Sequence, residues 1–355
     1  MSPDRQPKPL RTFVIGLGQM GLSHALAYHA NLGFDIVGLA NRSSVPLPAD
    51  LADYPEMRTL EDGLALKPDL VSINTYTDSH AALAIRAMEA GCHVFVEKPL
   101  AANVEEARRV VDAAKATGRK LVIGYILRHH PSWMEFIARA RAFGPPYVMR
   151  MNLNQQSSGN AWAIHKRLMD STSPVVDCGV HYLDVMCQIT DARPIQVRGM
   201  GARLSDEIRS DQVNFGHLQV LFEDGSIGWY EAGWGPMMSQ TAFFVKDVMS
   251  PKGSVSIVMD EGAHSADIDT HTKTANIRIH HADLKADGSF AKADELLSMK
   301  DEPGHQALCE REQAFVLKAI REDLDLTRHM NDAIRSLEVV LAADRSMRER
   351  RAIDL

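Results

Sequence analysis

A lysine at the end of an apolar run is the first candidate for chemistry in this sequence. The apolar residues 94–96 lead into Glu97, Lys98 and Pro99, and Pro99 biases Lys98 towards an extended conformation. Open α/β sheets bind ligands at the ends of their strands, where an ammonium group can polarise a substrate oxygen. A Lys-Pro pair on its own more often marks a solvated lysine that closes a strand, so the interpretation depends on the other motifs.

Three glycines near the N-terminus have the spacing of a phosphate-binding loop. Gly16, Gly18 and Gly21 follow an apolar run and precede a segment of helical composition, with Gln19 and Met20 between them. Gly16 would permit a tight turn, Gly18 the close approach of backbone to a pyrophosphate, and Gly21 close packing of helix on strand. Because the helix N-terminus would face the phosphates, the pattern predicts a dinucleotide site.

The residues at the end of the second predicted strand bear on which dinucleotide is bound. Folds that select NAD place Asp or Glu about 20 residues beyond the glycine loop, where the carboxylate binds the ribose 2′-hydroxyl. Asn41 stands at that distance, and Arg42, Ser43 and Ser44 follow. A guanidinium fork and hydroxyl donors suit a 2′-phosphate, so the sequence favours NADP(H). NAD(H) is the alternative, with Asn41 on the ribose diol and Arg42 stacked on adenine or turned to water.

A second group of ionisable residues follows a helix start. Ser173 can serve as N-cap, with Pro174 at the first helical position. On a continuous helix Asp177 and His181 are at i and i+4, and Asp184 comes three residues later, so all three project from one face. A histidine titrates near neutral pH and can accept a proton from a hydroxyl, while a carboxylate orients its ring. The alternative is a capped amphipathic helix whose carboxylates and histidine merely pair with each other.

Trp162, His165 and Lys166 follow the polar stretch 155–160 and precede that helix. A tryptophan beside polar groups suits the apolar face and polar rim of a sugar. These three residues are therefore candidates for substrate binding. A packing tryptophan in a long loop is the alternative.

The order and spacing of these motifs resemble one family. The G-x-G-x-x-G loop, the Glu97-Lys98-Pro99 run and the Asp-x-Gly-x-His-x-x-Asp pattern that begins at Asp177 are similar to those of the glucose–fructose oxidoreductase / inositol dehydrogenase / MocA family. Weaker matches between the motifs extend the resemblance over most of the chain. They are Thr75 and His80, the run 90–94, and residues 124–128 with Pro131 beyond.

The resemblance implies both an activity and roles for particular residues. The activity is hydride exchange between a nicotinamide and a secondary alcohol of a sugar, inositol or related polyol. Family members carry catalytic roles at the positions of Lys98, Asp177 and His181: we expect Lys98 to polarise the reacting oxygen and His181, oriented by Asp177, to accept its proton. The same three residues are expected to contact substrate, and Arg128 matches a position near the active site. Thr75, His80, Glu97 and Lys98 are expected to lie at the cofactor, with Glu97 also able to orient Lys98.

The periodicity predicts an α/β chain with two domains. Strands and helices alternate in the first, residues 1–127, which predicts a parallel Rossmann sheet. The second, residues 128–355, has successive segments of strand character and turn pairs such as Asp224-Gly225 that favour antiparallel hairpins, with C-terminal helices able to pack back on the first. The predicted strands are 12–16, 34–40, 70–74, 93–97, 121–124, 147–155, 195–204, 212–222, 227–233, 242–249, 253–259 and 275–280. The main predicted helices are 20–32, 79–89, 104–117, 131–142, 308–321 and 330–348.

The amino-acid composition limits the classes of partner that the protein can bind. A chain of 355 residues that is 45% hydrophobic and 24% charged, with a formal net charge of -7, is large enough for two cores and lacks the basic patch that a nucleic acid or an anionic membrane would require. Its four cysteines show no metal-ligand spacing, and lysine and histidine can supply the charge compensation, so no metal is expected. The absence of a signal peptide or membrane-spanning run predicts a cytoplasmic protein. An open sheet needs covering, which favours a homodimer or homotetramer.

Three function classes are compatible with these motifs. The first is a nicotinamide-dependent sugar or polyol dehydrogenase. The second is a redox-neutral enzyme in which a tightly held cofactor transiently oxidises a glycoside before elimination or hydrolysis. The third is a non-enzymatic sensor that binds nucleotide, for which Lys98, Asp177 and His181 would have no purpose.

Overall fold

The computed structural model describes residues 8–241, 244–259, 265 and 274–355. The chain divides into two compact units. The first contains Met1–Ile126 and His305–Ile334, and the second contains Leu127–Gly304 and Arg335–Leu355. Among the described residues, no helix is both long and apolar enough to cross a membrane.

The first unit is built on a six-stranded parallel sheet with the order β3-β2-β1-β4-β5-β6. Its central strands are short apolar runs that are buried along most of their length, as expected where helices cover both faces of a parallel sheet. This confirms the predicted Rossmann arrangement. The strands are β1 (Leu10–Ile15), β2 (Phe34–Ala40), β3 (Glu56–Met57), β4 (Leu70–Ile73), β5 (His93–Glu97) and β6 (Leu121–Gly124).

The helices between these strands begin and end at recognisable signals. Asn103 caps α4 by accepting a hydrogen bond from the Glu106 N–H, and Gly118 ends the helix in the left-handed conformation at φ 65°. Thr59 and Asp62 form a capping box at the start of α2. The helices are α1 (Gln19–Ala30), α2 (Leu60–Leu64), α3 (Thr77–Glu89) and α4 (Val104–Thr117).

The second unit contains a nine-stranded sheet with the order β14-β13-β12-β11-β7-β10-β9-β8-β15. Neighbouring strands are antiparallel except for β7 and β10, which run parallel, so the predicted open, largely antiparallel sheet is confirmed. Gly225, at φ 81°, makes the predicted turn between β9 and β10. The strands are β7 (Val148–Gln156), β8 (Pro194–Ala202), β9 (Phe215–Phe222), β10 (Ile227–Gly235), β11 (Lys246–Ser250), β12 (Gly253–Val258), β13 (Asn276–His281), β14 (Glu295–Ser298) and β15 (Ile353–Asp354).

Several details of the second unit differ from the sequence-based prediction. The segment 159–168 forms a helix that was not predicted, and β14 and β15 were not predicted either. The strand predicted at 242–249 begins at Lys246; residues 242–243 lie outside the described residues. The helices are α5 (Pro131–Phe143), α6 (Gly159–Leu168), α7 (Pro174–Asp177) and α8 (Gly179–Thr190), followed by the C-terminal α9 (His305–Arg321) and α10 (Thr327–Glu349).

The continuous helix predicted after Ser173 is wrong. Ser173 does cap the helix start through the Val176 N–H, but the helix ends at Asp177 and a new one begins at Gly179, with Cys178 between them. The His181 N–H bonds to the Cys178 carbonyl three residues back, which is a tighter turn than the i to i−4 pattern of an α-helix. Asp177 and His181 therefore do not project from one face of a single helix.

Candidate active site

The glycine loop has the shape that a phosphate site requires. Gly16 has φ +90°, and a Cβ there would lie 2.5 Å from backbone atoms of Asn74; a Cβ on Gly21 would lie 1.9 Å from the Gly16 carbonyl oxygen. A Cβ on Gly18 would meet nothing within 4 Å. Helix α1 begins at Gln19 without a side-chain cap. Two glycines thus close the turn, and the third leaves space before a helix N-terminus that attracts anions.

Asn41 braces this loop from the end of β2. Its Oδ1 accepts a hydrogen bond from the Leu17 N–H at 3.0 Å, and its Nδ2 donates to the Ser43 carbonyl at 2.9 Å. The Asn41 carbonyl in turn accepts from Nη1 of Arg58 at 3.3 Å. Arg42 and Arg58 are both exposed, so two guanidinium groups lie on the edge where the chain leaves β2. Arg58, which follows β3, was not among the predicted site residues.

His80 is held by two carbonyl groups. Its Nδ1 lies 2.8 Å from the Pro99 oxygen, and its Nε2 lies 3.0 Å from the Thr75 oxygen. Burial lowers the pKa of His80, although both carbonyl groups favour the protonated ring. The ring thereby ties the start of α3 to the peptide that follows Lys98. The predicted cofactor contacts of Thr75 and His80 stay predictions.

Glu97 and Lys98 stand at the end of β5, in the parallel sheet of the first unit. Glu97 is buried, and its Oε2 accepts a hydrogen bond from the Lys98 N–H at 3.0 Å. Its Oε1 lies 2.7 Å from Nε2 of His24 on α1. A Cβ on Gly124 would lie 3.2 Å from the carboxyl group of Glu97, so a glycine in β6 makes room for it. Lys98 itself is partly buried.

In the second unit, Asp177 and His181 flank the break between α7 and α8, and both side chains are partly buried. Gly179 begins α8 directly after this break, and a Cβ there would come within 3.2 Å of the Tyr230 ring. Tyr182 stacks on that ring at a centroid distance of 4.9 Å. The missing side chain of Gly179 thus lets the sheet approach the bend that carries His181.

Arg128 and Asp184 form a two-pronged ion pair in the second unit. Nε and Nη2 of Arg128 lie 2.9 and 2.5 Å from the two carboxylate oxygens of Asp184, and Gln188 donates to the same carboxylate at 3.0 Å. Asp184 is buried. Asp184, expected on the same helix face as His181, therefore holds Arg128. Burial, and then the Arg128 charge, lower the pKa of the neighbouring His129 to about 4.

The three predicted sugar-binding residues lie on α6 but in different surroundings. Trp162 is buried. His165 stacks on Trp234 at 4.6 Å between ring centroids. Lys166 lies over the Trp162 ring and forms a 2.6 Å ion pair with Glu207, whose pKa this contact lowers. Their contact with substrate stays a prediction.

No group of three or more His, Cys, Asp or Glu that could hold a metal ion occurs in the part of the chain that the structure describes. All four cysteines are buried thiols. The two units instead carry separate groups of polar side chains, one around Lys98 and one around His181. Sequence patterns indicated both groups but not the contacts that brace them.

Two family models match this chain. Residues 10–125 match the model described as an oxidoreductase family with an NAD-binding Rossmann fold. Residues 134–255 match the GFO/IDH/MocA C-terminal domain. The two matches correspond to the parallel sheet and to much of the antiparallel sheet.

Named relatives include sugar and inositol dehydrogenases. A UDP-N-acetylglucosamine 3-dehydrogenase of Acidithiobacillus ferrooxidans is 31% identical over 194 residues, which are 54% of this chain and 58% of that protein. A scyllo-inositol 2-dehydrogenase (NAD(+)) of Bacillus subtilis is 27% identical over 236 residues, 63% of this chain and 67% of that protein. The aligned region thus covers only about two thirds or less of the length of each of these curated relatives.

The fold also matches solved structures over nearly its whole length. A myo-inositol 2-dehydrogenase from Lactobacillus plantarum has a TM-score of 0.77 at 20% identity, covering 98% of this chain and 100% of that chain. At this identity the likeness concerns the fold alone.

Proposed function

We propose, because the chain belongs to the GFO/IDH/MocA oxidoreductase family, that this protein is a nicotinamide-dependent dehydrogenase of a sugar, inositol or related polyol. The observation that carries the proposal is the position of Lys98. It follows a buried strand of the Rossmann sheet and is braced through Glu97 to α1, the helix that begins at Gln19, directly after the open Gly18. A lysine at this strand end is placed to polarise a substrate oxygen beside a bound dinucleotide.

The loop between β1 and α1 fits a dinucleotide diphosphate. We assign its binding to the loop that Gly16 turns and Gly18 leaves open, and to the N–H groups of Gln19, Met20 and Gly21 at the start of α1, because this helix end is uncapped and space remains over Gly18. When bound, the nicotinamide supplies the hydride acceptor or donor. Thr75, His80 and Glu97 are proposed to line the cofactor side of Lys98.

Side chains of this protein carry out proton transfer and stabilise the charge that develops during the reaction. Oxidation of a secondary alcohol requires its hydroxyl proton to leave as the hydride departs. His181 accepts that proton, with Asp177 orienting the ring. Lys98 donates to the same oxygen and stabilises the charge that develops on it. Arg128, held by Asp184, and the α6 residues Trp162, His165 and Lys166 are proposed to contact the rest of the substrate.

NADP(H) is the proposed coenzyme, with NAD(H) as the alternative. Asn41 carries no charge and is already engaged with the Leu17 N–H and the Ser43 carbonyl, so no carboxylate at this position repels a 2′-phosphate. Arg42 and Arg58 add two exposed cations at the same edge. Guanidinium groups bind phosphate oxygens through paired hydrogen bonds.

We propose that the second unit self-associates through one face of its sheet. The strand register places Met249, Val148, Ile227 and Leu221 in one row across β11, β7, β10 and β9. Met249, Ile227 and Leu221 are exposed, and an apolar row of this kind usually marks an interface. In sedimentation, Ile227→Asp should shift the protein to a smaller species than wild type, whereas Leu32→Asp, at an exposed position of the first unit, should not.

The proposed activity is tested by a panel of aldoses, inositols, sugar nucleotides and keto-sugars, with both coenzymes, followed by nicotinamide absorbance. A dehydrogenase changes that absorbance in step with substrate consumption. A redox-neutral glycoside hydrolase or lyase would consume a glycoside without net absorbance change. Binding of both nucleotide and sugar without any conversion would instead indicate a sensor.

A further inference from the structure

A buried chain of hydrogen bonds lies behind Glu97 in the first unit. Nε2 of His24 on α1 lies 2.7 Å from Oε1 of Glu97 on β5, and Nδ1 of the same ring lies 2.9 Å from Nε2 of Gln313 on α9. All three side chains are buried. The His24 ring therefore links α9 to the residue that precedes Lys98.

The direction of these hydrogen bonds follows from the donors. The amide nitrogen of Gln313 can only donate, so Nδ1 of His24 accepts and Nε2 carries the proton given to Glu97. The Lys98 N–H donates to the other oxygen of Glu97. Each oxygen of Glu97 thus receives a hydrogen bond, which is the arrangement that suits an ionised carboxylate.

Glu312, the residue before Gln313, has the opposite surroundings. It is completely buried, and within the described ranges neither carboxyl oxygen has a hydrogen-bond partner. The ionisable groups near it are Glu97 on β5, Tyr28 on α1 and Cys309 on its own helix. Burial, and then the charge of Glu97, raise the pKa of Glu312 well above its usual value.

We propose that Glu312 keeps its proton in the folded protein while Glu97 is ionised, and that His24 and Gln313 are positioning residues that aim the Glu97 carboxylate at the Lys98 backbone. Burial away from hydrogen-bond donors disfavours the charged form of a carboxyl group, and the charge of a second carboxylate disfavours it further. The hydrogen bonds decide which of them keeps the charge, because Glu97 has donors and Glu312 has none among the described residues. The link to Lys98 chemistry rests on the proposed function, but the proton on Glu312 does not.

The proton on Glu312 is tested by stability rather than activity. At a pH above the usual glutamate pKa of 4.5, the unfolded chain releases this proton and the folded chain keeps it. The equilibrium constant for folding therefore falls by up to about tenfold for each unit of pH increase. Glu312→Gln removes that dependence. Its melting temperature should match wild type near about pH 5 and exceed it increasingly towards about pH 8.5. Glu310→Gln, on the exposed side of the same helix, is the matched control and should show no such trend.

If the melting temperature of Glu312→Gln differs from that of the wild-type protein by the same amount at every pH, Glu312 is ionised or merely fills space. A deficit that grows with pH would mean that a buried charge on Glu312 stabilises the fold. Either result would overturn the assignment of the proton.

The positioning role is tested at one amide. Because Pro99 has no N–H, hydrogen exchange in a peptide that ends at residue 99 reports the Lys98 N–H as its last exchanging amide. His24→Ala should accelerate exchange of that amide by about tenfold, the loss expected for one hydrogen bond, and His24→Gln, which can still donate to Glu97, should restore most of the protection. His29→Ala, on the exposed end of α1, is the control.

Turnover provides the second readout of positioning. His24→Ala should lower kcat by about tenfold to a hundredfold with cofactor affinity nearly unchanged, and His24→Gln should recover much of it. Unchanged Lys98 exchange in His24→Ala would contradict positioning whatever the kinetics show. Altered exchange in a protein without dehydrogenase activity would support the hydrogen-bond chain and count against the proposed function.

Discussion

In the first unit, Nε2 of His24 lies 2.7 Å from Oε1 of Glu97, and both side chains are buried. His24 belongs to the helix that begins at the phosphate loop, and Glu97 precedes Lys98. The contact therefore joins the element proposed to bind the cofactor diphosphate to Glu97, whose other carboxylate oxygen accepts a hydrogen bond from the Lys98 N–H. Because His24 on α1 holds the Glu97 carboxylate that binds the Lys98 N–H, a substitution in α1 can change the position of Lys98 without contacting it.

The first prediction concerns the two proposed catalytic residues. Lys98→Met and His181→Ala should each lower kcat by about two orders of magnitude or more, with cofactor affinity nearly intact, because each removes a group that acts mainly in the transition state. His181→Ala should also flatten the pH dependence of alcohol oxidation. Steady-state kinetics on variants with wild-type circular dichroism spectra provides the check. Wild-type turnover by both folded variants would rule out this assignment.

The second prediction separates the roles of two loop glycines. Gly18 has an extended backbone conformation and open space at its Cβ position, so Gly18→Val should fold normally and lose cofactor affinity by about tenfold or more, because the side chain would fill the phosphate site. Gly16→Ala should lower the melting temperature of the cofactor-free protein, because a Cβ at φ +90° would clash with the Asn74 backbone. Titration and thermal unfolding measure the two effects. Unaltered cofactor affinity in Gly18→Val would move the phosphate site elsewhere.

The third prediction concerns coenzyme choice. Fluorescence titration should show tighter binding of NADPH than of NADH, and Asn41→Asp combined with Arg42→Ala should reverse the order. The aspartate keeps the acceptor that the Leu17 N–H requires, so the loop should stay intact. Arg58→Ala should weaken NADPH binding more than NADH binding. Equal or tighter binding of NADH by the wild-type protein would contradict the NADP(H) preference.

The fourth prediction concerns substrate binding at α6. Lys166→Ala should raise the KM for sugar much more than the KM for cofactor. The ion pair with Glu207 at the surface contributes little to stability, so the variant should fold normally. Glu207→Gln, which removes the partner and leaves the lysine, is the matched control. Proportional changes in both KM values, or none, would assign Lys166 to the surface of the helix.

The sequence alone predicted most of the secondary structure of the first unit. Most of its parallel strands are apolar runs, and the runs 34–40, 93–97 and 121–124 were predicted at the bounds that the structure has. Such strands are buried on both faces, so their composition alone identifies them. The glycine loop was equally readable, because Gly16 and Gly21 occupy positions that a side chain cannot.

Long-range contacts account for the features that the sequence did not predict. The break at Cys178 lies in a run with helical composition, and the Tyr230 ring against Gly179 comes from a strand about 50 residues away. His24 follows Gly21 by three residues, but its partners Glu97 and Gln313 are 73 and 289 residues away in the chain. A polar residue in a helix gives no local sign of such partners.

The most direct test of the proposed function is the stoichiometry of nicotinamide turnover with the substrate that the panel identifies. With substrate and coenzyme both in large excess over enzyme, we expect one nicotinamide reduced for each alcohol oxidised, and the reverse with the corresponding ketone. Substrate consumption by the wild-type protein with no net change in nicotinamide absorbance would contradict a dehydrogenase and favour a redox-neutral reaction on the same fold.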